Sequence, residues 1–452
     1  MDAVTQKLIF KEVAMKNRSL ITIALGMVLT LFLVFCFTPM GWTQQKTPIN
    51  ISYIGNFNQP WGKSGLTSAR LAIDEINAAG GIAGNPLNLL SADNKGQIPL
   101  TVAGYKKAVM TDHSLIIFTE GSEHVLACQD AGAALFKEFP HIQIGVWTSA
   151  DSVTNRVLEN PDKFRFFFRA HGLTSLNMGI YLNSWAKLYK DQGYKKIAVL
   201  LEDLEFTALL RKGDPARGIL PLKAQWEKLG FKVTYAADVA STEKMWLPIM
   251  ENVASSGAQA ICLVSVYADL TALAKQWAQS AAKNIVICNT GGAASLGQPF
   301  WNMTGGAALG WVSGVLSNPN LQITDKTKSF FTKLLEEYKV GGFENSYNTY
   351  EAVYFMKSVI EKVGNSKDIP AIIKKAEEIE TPGIVGAMKF DSKSHTRYYT
   401  VKGDGYPYYT IWNTQYQKGG ALVTFSPKIV ADKTNPGKGF VDVGKLREAS
   451  AK

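Results

Sequence analysis

From residue 49 onward the chain alternates short apolar runs with longer segments of helical periodicity. Leu66, Ala69, Ile73 and Ile76 are spaced three or four residues apart, which places their side chains on one face of a helix. Apolar runs bounded by turn residues predict buried strands. In the first part of the chain the predicted strands cover residues 50–55, 86–92, 114–120, 141–149 and 163–170.

The same alternation repeats after residue 170. Because strands that alternate with helices form parallel sheets, the two serial arrays predict an α/β fold with two parallel-sheet lobes. The predicted strands of the second array cover residues 195–203, 231–238, 258–266 and 283–290. Further on, the pattern predicts helices over 325–339, 346–363 and 368–379, a strand over 384–391 and an exposed edge strand over 406–416.

Length and charge narrow the class of protein. A chain of 452 residues is too long for a single compact core, which agrees with two lobes. The formal net charge is +10, but the Lys and Arg residues are dispersed along the chain and form no basic stripe. The composition therefore predicts a solvated basic surface and no nucleic-acid partner.

The N-terminus has the pattern of an export signal. Lys11, Lys16 and Arg18 precede an uncharged apolar run over residues 19–37, and a polar stretch follows it. This order predicts that residues 1–43 are a secretory signal peptide, with cleavage between about residues 38 and 43. The run is also long enough for an uncleaved membrane anchor. In either case we expect the body of the protein at the periplasmic or extracellular face of the membrane.

Signatures of catalysis are absent from the sequence. It contains no phosphate-binding loop, no GxGxxG after the first strand and no GxSxG nucleophile elbow. Its five histidines have no metal-ligand spacing. We therefore expect no catalytic site, no metal ion and no cofactor. Cys262 and Cys288 lie in predicted strands, where they are buried thiols or, alternatively, a disulfide pair.

The candidate binding residues follow the predicted strands, because open α/β sheets bind ligands at the carboxyl ends of their strands. Each residue alone has a structural explanation, such as an aromatic side chain covering the core or Ser122 acting as an N-cap. Their recurrence at equivalent strand ends in both arrays indicates a cleft for a small, partly apolar molecule with a polar head. The residues are Trp61, Ser122, Trp147, Thr148 and Ser149 in the first array, and Glu202, Asp203, Phe206, Tyr267 and Thr290 in the second.

One segment carries a resemblance to a known family. In RLAIDEINAAGGIAGNPLNLLSAD the residues Ala72, Ile76-Asn77, Gly80-Gly81-Ile82, Gly84, Leu87 and Asp93 match a pattern of helix, glycine turn and strand. This pattern resembles the leucine/isoleucine/valine-binding family of periplasmic solute receptors of ABC transporters. The resemblance implies a type I periplasmic-binding fold, with two Rossmann-like lobes joined by three hinge crossovers and a ligand enclosed between them. The implied lobes are residues 48–169 plus 314–388 and residues 170–313 plus 389–445.

The resemblance also implies roles for individual residues. Ser122, Thr148 and Ser149 match the hydroxyls that bind the ligand carboxylate, while Trp61, Phe206 and Tyr267 match aromatic positions around the ligand. Amino-acid binders of the family have an acidic residue where this chain has Thr290. An acid such as Glu120, Glu202 or Asp203 could substitute, or the ligand could lack an ammonium group, as amides, urea-like molecules and aromatic acids do.

Three functions are compatible with these features. The leading hypothesis is a receptor that captures a small molecule and delivers it to an ABC permease. The alternatives are a sensor that uses the same fold in a signalling system and an exported enzyme with an unrecognised site. No segment resembling a signalling domain follows residue 391, and no catalytic constellation supports the enzyme.

Overall fold

The computed structural model describes residues 2, 11, 47–317, 321–399, 408, 411–426 and 439–451. Nearly all of the predicted signal segment, residues 1–43, therefore lies outside the described residues. The unit that starts at Pro48 holds two separate hydrophobic cores built around two large sheets. This arrangement confirms the predicted α/β class with parallel sheets.

The first sheet has the order β2-β1-β3-β4-β5, and all its strands are parallel. Its strands alternate with helices along the chain, as the periodicity predicted. In chain order, the strands and helices of this part are β1 (Ile49–Gly55), α1 (Pro60–Ala78), β2 (Leu87–Asp93), α2 (Ile98–Met110), β3 (Ile116–Glu120), α3 (Ser122–Leu135), β4 (Ile142–Trp147), α4 (Ser152–Glu159), α5 (Pro161–Phe164) and β5 (Phe167–Arg169).

The glycine turn after α1 is needed for the path of the chain. Gly80 and Gly81 have φ values of 98° and 76°, in the left-handed region that favours glycine. A Cβ atom on Gly81 would lie 2.2 Å from the carbonyl oxygen of Asn85, so no larger residue fits there. The turn ends α1 and directs the chain into β2, as the sequence predicted.

The second sheet has the order β14-β13-β10-β9-β8-β6-β7, with the last two strands of the chain antiparallel to their neighbours. Five tryptophans are fully buried in its core, namely Trp185, Trp226, Trp246, Trp277 and Trp311. Its elements are α6 (Ser175–Asp191), β6 (Lys196–Glu202), α7 (Ala208–Lys212), α8 (Leu222–Lys228), β7 (Lys232–Val239), α9 (Trp246–Ser255), β8 (Ala260–Val264), α10 (Leu270–Gln279), β9 (Val286–Thr290), α11 (Gln298–Thr304) and β10 (Val312–Val315).

The rest of the chain contributes a helix that packs on the first sheet and two strands of the second sheet. It contains α12 (Thr327–Glu336), α13 (Glu344–Val363), α14 (Ile369–Glu378), β11 (Glu380–Thr381), β12 (Met388–Lys389), β13 (Trp412–Tyr416), β14 (Leu422–Ser426) and α15 (Val443–Ala451). After β5 the chain leaves the first sheet for the second, and after β10 it returns to the first, where Thr396 forms a bridge with Arg169. It is in the second sheet again at β13. The exact lobe boundaries at residues 170, 314 and 389 stay a prediction.

Two predicted strands differ from the structure. The exposed edge strand predicted over 406–416 is the fully buried β13, because β14 folds back and pairs with its outer edge. The strand predicted over 384–391 shrinks to the two residues of β12. There the side chain of Glu351 accepts the backbone N–H groups of Ile384 and Val385, so these groups are not available to a strand partner.

Candidate functional site

Seven of the ten candidate residues line one cavity between the two sheets. Ser122, Trp147, Thr148 and Ser149 lie at or shortly after strand ends of the first sheet, and Phe206, Tyr267 and Thr290 lie at or shortly after strand ends of the second. The carboxyl ends of the parallel strands thus face each other across the cavity, as the strand-end rule requires. The remaining lining residues are His171, Leu173, Met178, Val266, Gly314, Leu316 and Glu344.

Ser122 lies at the start of α3, but it is not the predicted N-cap. Gly121 occupies the N-cap position with a φ of 80°, and no side chain caps the helix. The Ser122 hydroxyl instead lies 3.1 Å from Oγ1 of Thr148 and accepts the backbone N–H of Ala150 at 3.2 Å. Hydroxyls and the positive end of a helix together favour a bound carboxylate.

Aromatic rings form one wall of the cavity. Trp147 and Tyr267 come from different sheets, and their ring centroids are 5.3 Å apart. Phe206 lies 6.3 Å from Tyr267 in an edge-to-face arrangement. Rings in these geometries attract each other and offer a large apolar surface to a ligand.

Trp61 is the one aromatic candidate that does not line the cavity. It lies in the first turn of α1, which begins at Pro60, whereas the sequence placed it before the helix. Its ring is 5.7 Å from both Trp147 and Tyr267, and it borders the adjoining cleft with Glu123 and His124. Trp61 therefore packs against two rings of the aromatic wall without lining the cavity itself.

None of the three acids considered as substitutes lines the cavity. Glu120 accepts hydrogen bonds from the Tyr53 hydroxyl at 2.6 Å and from Asn345 at 2.9 Å, and burial raises its pKa. The side chain of Asp203 is 61% exposed and forms an ion pair with Arg211. Both carboxylates are thus engaged with neighbouring protein groups.

Glu202 holds a loop of the site in place. Its carboxylate accepts the backbone N–H groups of Val266, Tyr267 and Ala268 at distances between 2.7 and 3.2 Å. Burial raises the pKa of Glu202 to about 7, although these hydrogen bonds act in the opposite direction. Through this loop Glu202 positions the Tyr267 ring at the cavity.

We expect Glu202→Ala to lower the free energy of unfolding by about 1–3 kcal/mol, because three buried or part-buried backbone N–H groups lose their acceptor. Urea unfolding followed by circular dichroism measures this change. Asp203→Ala is the matched control, since its exposed ion pair contributes about 1 kcal/mol or less. Equal unfolding midpoints for the two variants would contradict the role of Glu202.

Two polar residues of the cavity were missed by sequence reasoning. Nε2 of His171 lies 2.9 Å from Oε2 of Glu344, and Trp147 Nε1 donates to the same oxygen at 3.3 Å. His171 comes two residues after β5, so the strand-end rule could have found it. Glu344 begins α13 after a crossover and follows no strand directly, so no local pattern indicates it.

The two sides of the cavity also contact each other at its rim. Oε1 of Glu123 on α3 accepts the backbone N–H of Glu205 at 2.8 Å. The hydroxyl of Ser152 on α4 donates to Oε1 of Glu205 at 3.0 Å. Since Glu205 follows β6 of the second sheet, these bonds join the two sides in a closed arrangement.

In the described part of the chain no group of three or more His, Cys, Asp or Glu side chains is placed to hold a metal ion. The three described cysteines are buried free thiols, namely Cys128, Cys262 and Cys288. The disulfide between Cys262 and Cys288, which the sequence left open, is therefore not formed. Among the described residues, which leave out nearly all of 1–46, no helix has the length and apolar character needed to cross a membrane.

A cavity between two sheets, with the carboxyl ends of parallel strands of both sheets facing it, is the arrangement of a two-lobed solute-binding protein. Comparison with protein families agrees, since the periplasmic binding protein family model matches residues 51–401. The chain belongs to this family. A search of curated protein sequences found no match.

Solved structures show the same fold at low sequence identity. A putative branched-chain amino acid ABC transporter from Silicibacter pomeroyi is 18% identical with a TM-score of 0.68, covering 88% of this chain and 99% of its own. A solute-binding protein from R. palustris in complex with benzoate is 13% identical, with a TM-score of 0.68 and coverages of 86% and 99%. The branched-chain amino acid binding protein of Streptococcus pneumoniae in complex with isoleucine is 15% identical, with a TM-score of 0.65 and coverages of 85% and 99%. The type I periplasmic-binding fold implied by the resemblance is thereby confirmed.

Proposed function

We propose that this protein is the exported receptor of an ABC transporter and binds a small carboxylate-bearing solute between its lobes. The observation that carries this proposal is the convergence of Ser122, Thr148, Trp147, Phe206 and Tyr267 from two sheets on one cavity. Ser122 and Thr148 would orient the polar head, and the three rings would cover the apolar body of the solute. Benzoate and isoleucine, bound by two proteins of the same fold, share this combination of carboxylate and apolar body.

Delivery of the solute follows from closure of the lobes. The bonds from Ser152 and Glu205 across the rim hold the lobes together around the cavity. A ligand that contacts both lobes favours this closed arrangement, because it gains contacts that the open one lacks. The permease subunits of the transporter would bind the closed surface, and the N-terminal signal segment would place the protein outside the cytoplasm.

A binding screen on the purified full chain tests the proposal. We expect at least one amino acid or aromatic carboxylate to raise the melting temperature and to bind with a stoichiometry of about one in calorimetry. The bound compound should be recovered chemically unchanged, which separates a receptor from an enzyme. The proposal would be refuted if no compound raised the melting temperature and none gave a heat of binding.

The hydroxyl of Ser122 gives a residue-level prediction. We expect Ser122→Ala to weaken binding of the best carboxylate from the screen by about tenfold or more, because a hydrogen bond to a charged group is lost. Calorimetry measures the affinity. Ser329→Ala on the exposed face of α12 is the control and should bind as the wild type does. An unchanged affinity in Ser122→Ala would show that the carboxylate lies elsewhere.

A further inference from the structure

The Glu344 carboxylate reaches the cavity from an unexpected element. It is the first residue of α13, and its side chain is 14% exposed. One oxygen, Oε2, is held by Trp147 Nε1 and His171 Nε2. The other oxygen lies against the turn after β9, since a Cβ atom on Gly291 would be 3.3 Å from Oε1. Glu344 therefore lies beside Thr290, the position where an acid was expected from the resemblance.

Two polar atoms near this turn have no hydrogen-bond partner among the described residues. Oγ1 of Thr290 is buried and unpaired. Oε1 of Glu344 is partly exposed and accepts no hydrogen bond from these residues. Both residues line the same cavity. Because buried polar groups in folded proteins are nearly always paired, the Thr290 hydroxyl indicates a polar group of a ligand, and Glu344 Oε1 is placed to accept an N–H or O–H of the same group.

The charges around the cavity favour a positively charged donor. Among the described residues no Lys or Arg lines it, and the ionisable lining residues are Glu344, His171 and Tyr267. His171 contacts the Glu344 oxygen that faces away from the turn, which leaves Oε1 for the ligand. The faces of the Trp147 and Tyr267 rings also attract a cation.

We propose that Glu344 binds a protonated nitrogen of the solute through Oε1, with Thr290 as a second contact to the same group. The inference rests on the proposed function and makes the solute an amino-acid-like zwitterion. Hydrogen bonds connect Ser122 to Thr148, His171 contacts the Thr148 carbonyl at 3.2 Å, and His171 in turn contacts Glu344. These contacts link the Ser122 and Thr148 hydroxyls, proposed to bind the carboxylate, to the Glu344 carboxylate in the lining of the same cavity.

Matched pairs of ligands test the inference on the full chain. Leucine and 4-methylpentanoate differ only in the ammonium group, and so do phenylalanine and 3-phenylpropanoate. For a pair that binds, we expect the amino acid to bind about 30-fold or more tightly than its carboxylate partner, because a buried charge pair is present only with the amino acid. Calorimetry gives both affinities.

The variant Glu344→Gln keeps the shape of the side chain and removes its charge. We expect it to bind the amino acid at least about tenfold more weakly than the wild type, with little change for the carboxylate partner. Asp203→Asn is the control, since this exposed carboxylate pairs with Arg211 and does not line the cavity. It should keep the preference for the amino acid.

The outcomes separate this inference from the proposed function. Equal or tighter binding of the carboxylate partners, or amino-acid binding by Glu344→Gln at wild-type affinity, would overturn the role of Glu344 and leave the receptor function intact. If no compound of either kind binds, the proposed function fails, and the inference fails with it. If the melting curve shows that Glu344→Gln does not fold, the affinities of the wild type decide the question. The inference then requires that the wild type bind each amino acid more tightly than its carboxylate partner.

Discussion

Replacing Trp147 with alanine is expected to weaken solute binding by about 30-fold or more, equivalent to about 2 kcal/mol or more. The ring lies 5.3 Å from Tyr267 and 5.7 Å from Trp61, so it belongs to the aromatic wall of the cavity. Its Nε1 also donates to Glu344. The substitution removes an apolar contact of the ligand and frees the Glu344 carboxylate to move. Calorimetry with the best compound from the screen measures the loss.

Trp147→Phe is the matched comparison for this prediction. It keeps a smaller aromatic ring in the wall and removes the hydrogen bond to Glu344, so we expect an affinity between those of the wild type and Trp147→Ala. Melting curves of both variants show whether the fold is retained. A folded Trp147→Ala protein that binds as the wild type does would show that the ligand lies outside this cavity.

Replacing Arg397 with methionine is expected to lower the free energy of unfolding by about 3–5 kcal/mol. Arg397 and Glu351 form an ion pair of 2.6 Å, and their side chains are 0% and 2% exposed. Removing the guanidinium leaves the Glu351 carboxylate buried without its opposite charge. The cost is large because the protein interior cannot replace the hydration that this carboxylate has in the unfolded chain.

Urea unfolding compares Arg397→Met with the double variant Arg397→Met/Glu351→Met. We expect the double variant to recover part of the lost stability, because no unpaired charge stays buried. The result also concerns the site, since Glu351 lies on α13, the helix that begins with Glu344. A single variant within about 1 kcal/mol of the wild type would contradict the importance of this pair.

The sequence was informative wherever a local pattern determines the position of a side chain. Ser122, Trp147, Thr148 and Tyr267 follow strands, and parallel strands bring their carboxyl ends to one edge of a sheet whatever the details of packing. The same rule explains why seven candidates from two arrays line one cavity. The glycine turn at Gly81 was equally predictable, since its φ value excludes other residues.

The errors occur where distant parts of the chain meet. Glu344 begins a helix that follows a crossover between the sheets, and the hydrophobic periodicity of the sequence does not predict where such a helix will lie. The segment after residue 384 resembles a strand, but Glu351 and Arg397 bind its backbone in place of a neighbouring strand. Burial of β13 likewise depends on β14, which folds back over it from later in the sequence.

The most direct test of solute binding between the lobes is a crystal structure of the full chain grown with the tightest-binding compound of the screen. We expect one molecule in the cavity, with its carboxylate hydrogen bonded to Ser122 and its apolar body against Trp147 and Tyr267. We also expect its protonated nitrogen within hydrogen-bond distance of Glu344. A compound bound only on the outer surface, with the cavity between the sheets occupied by water, would contradict this function.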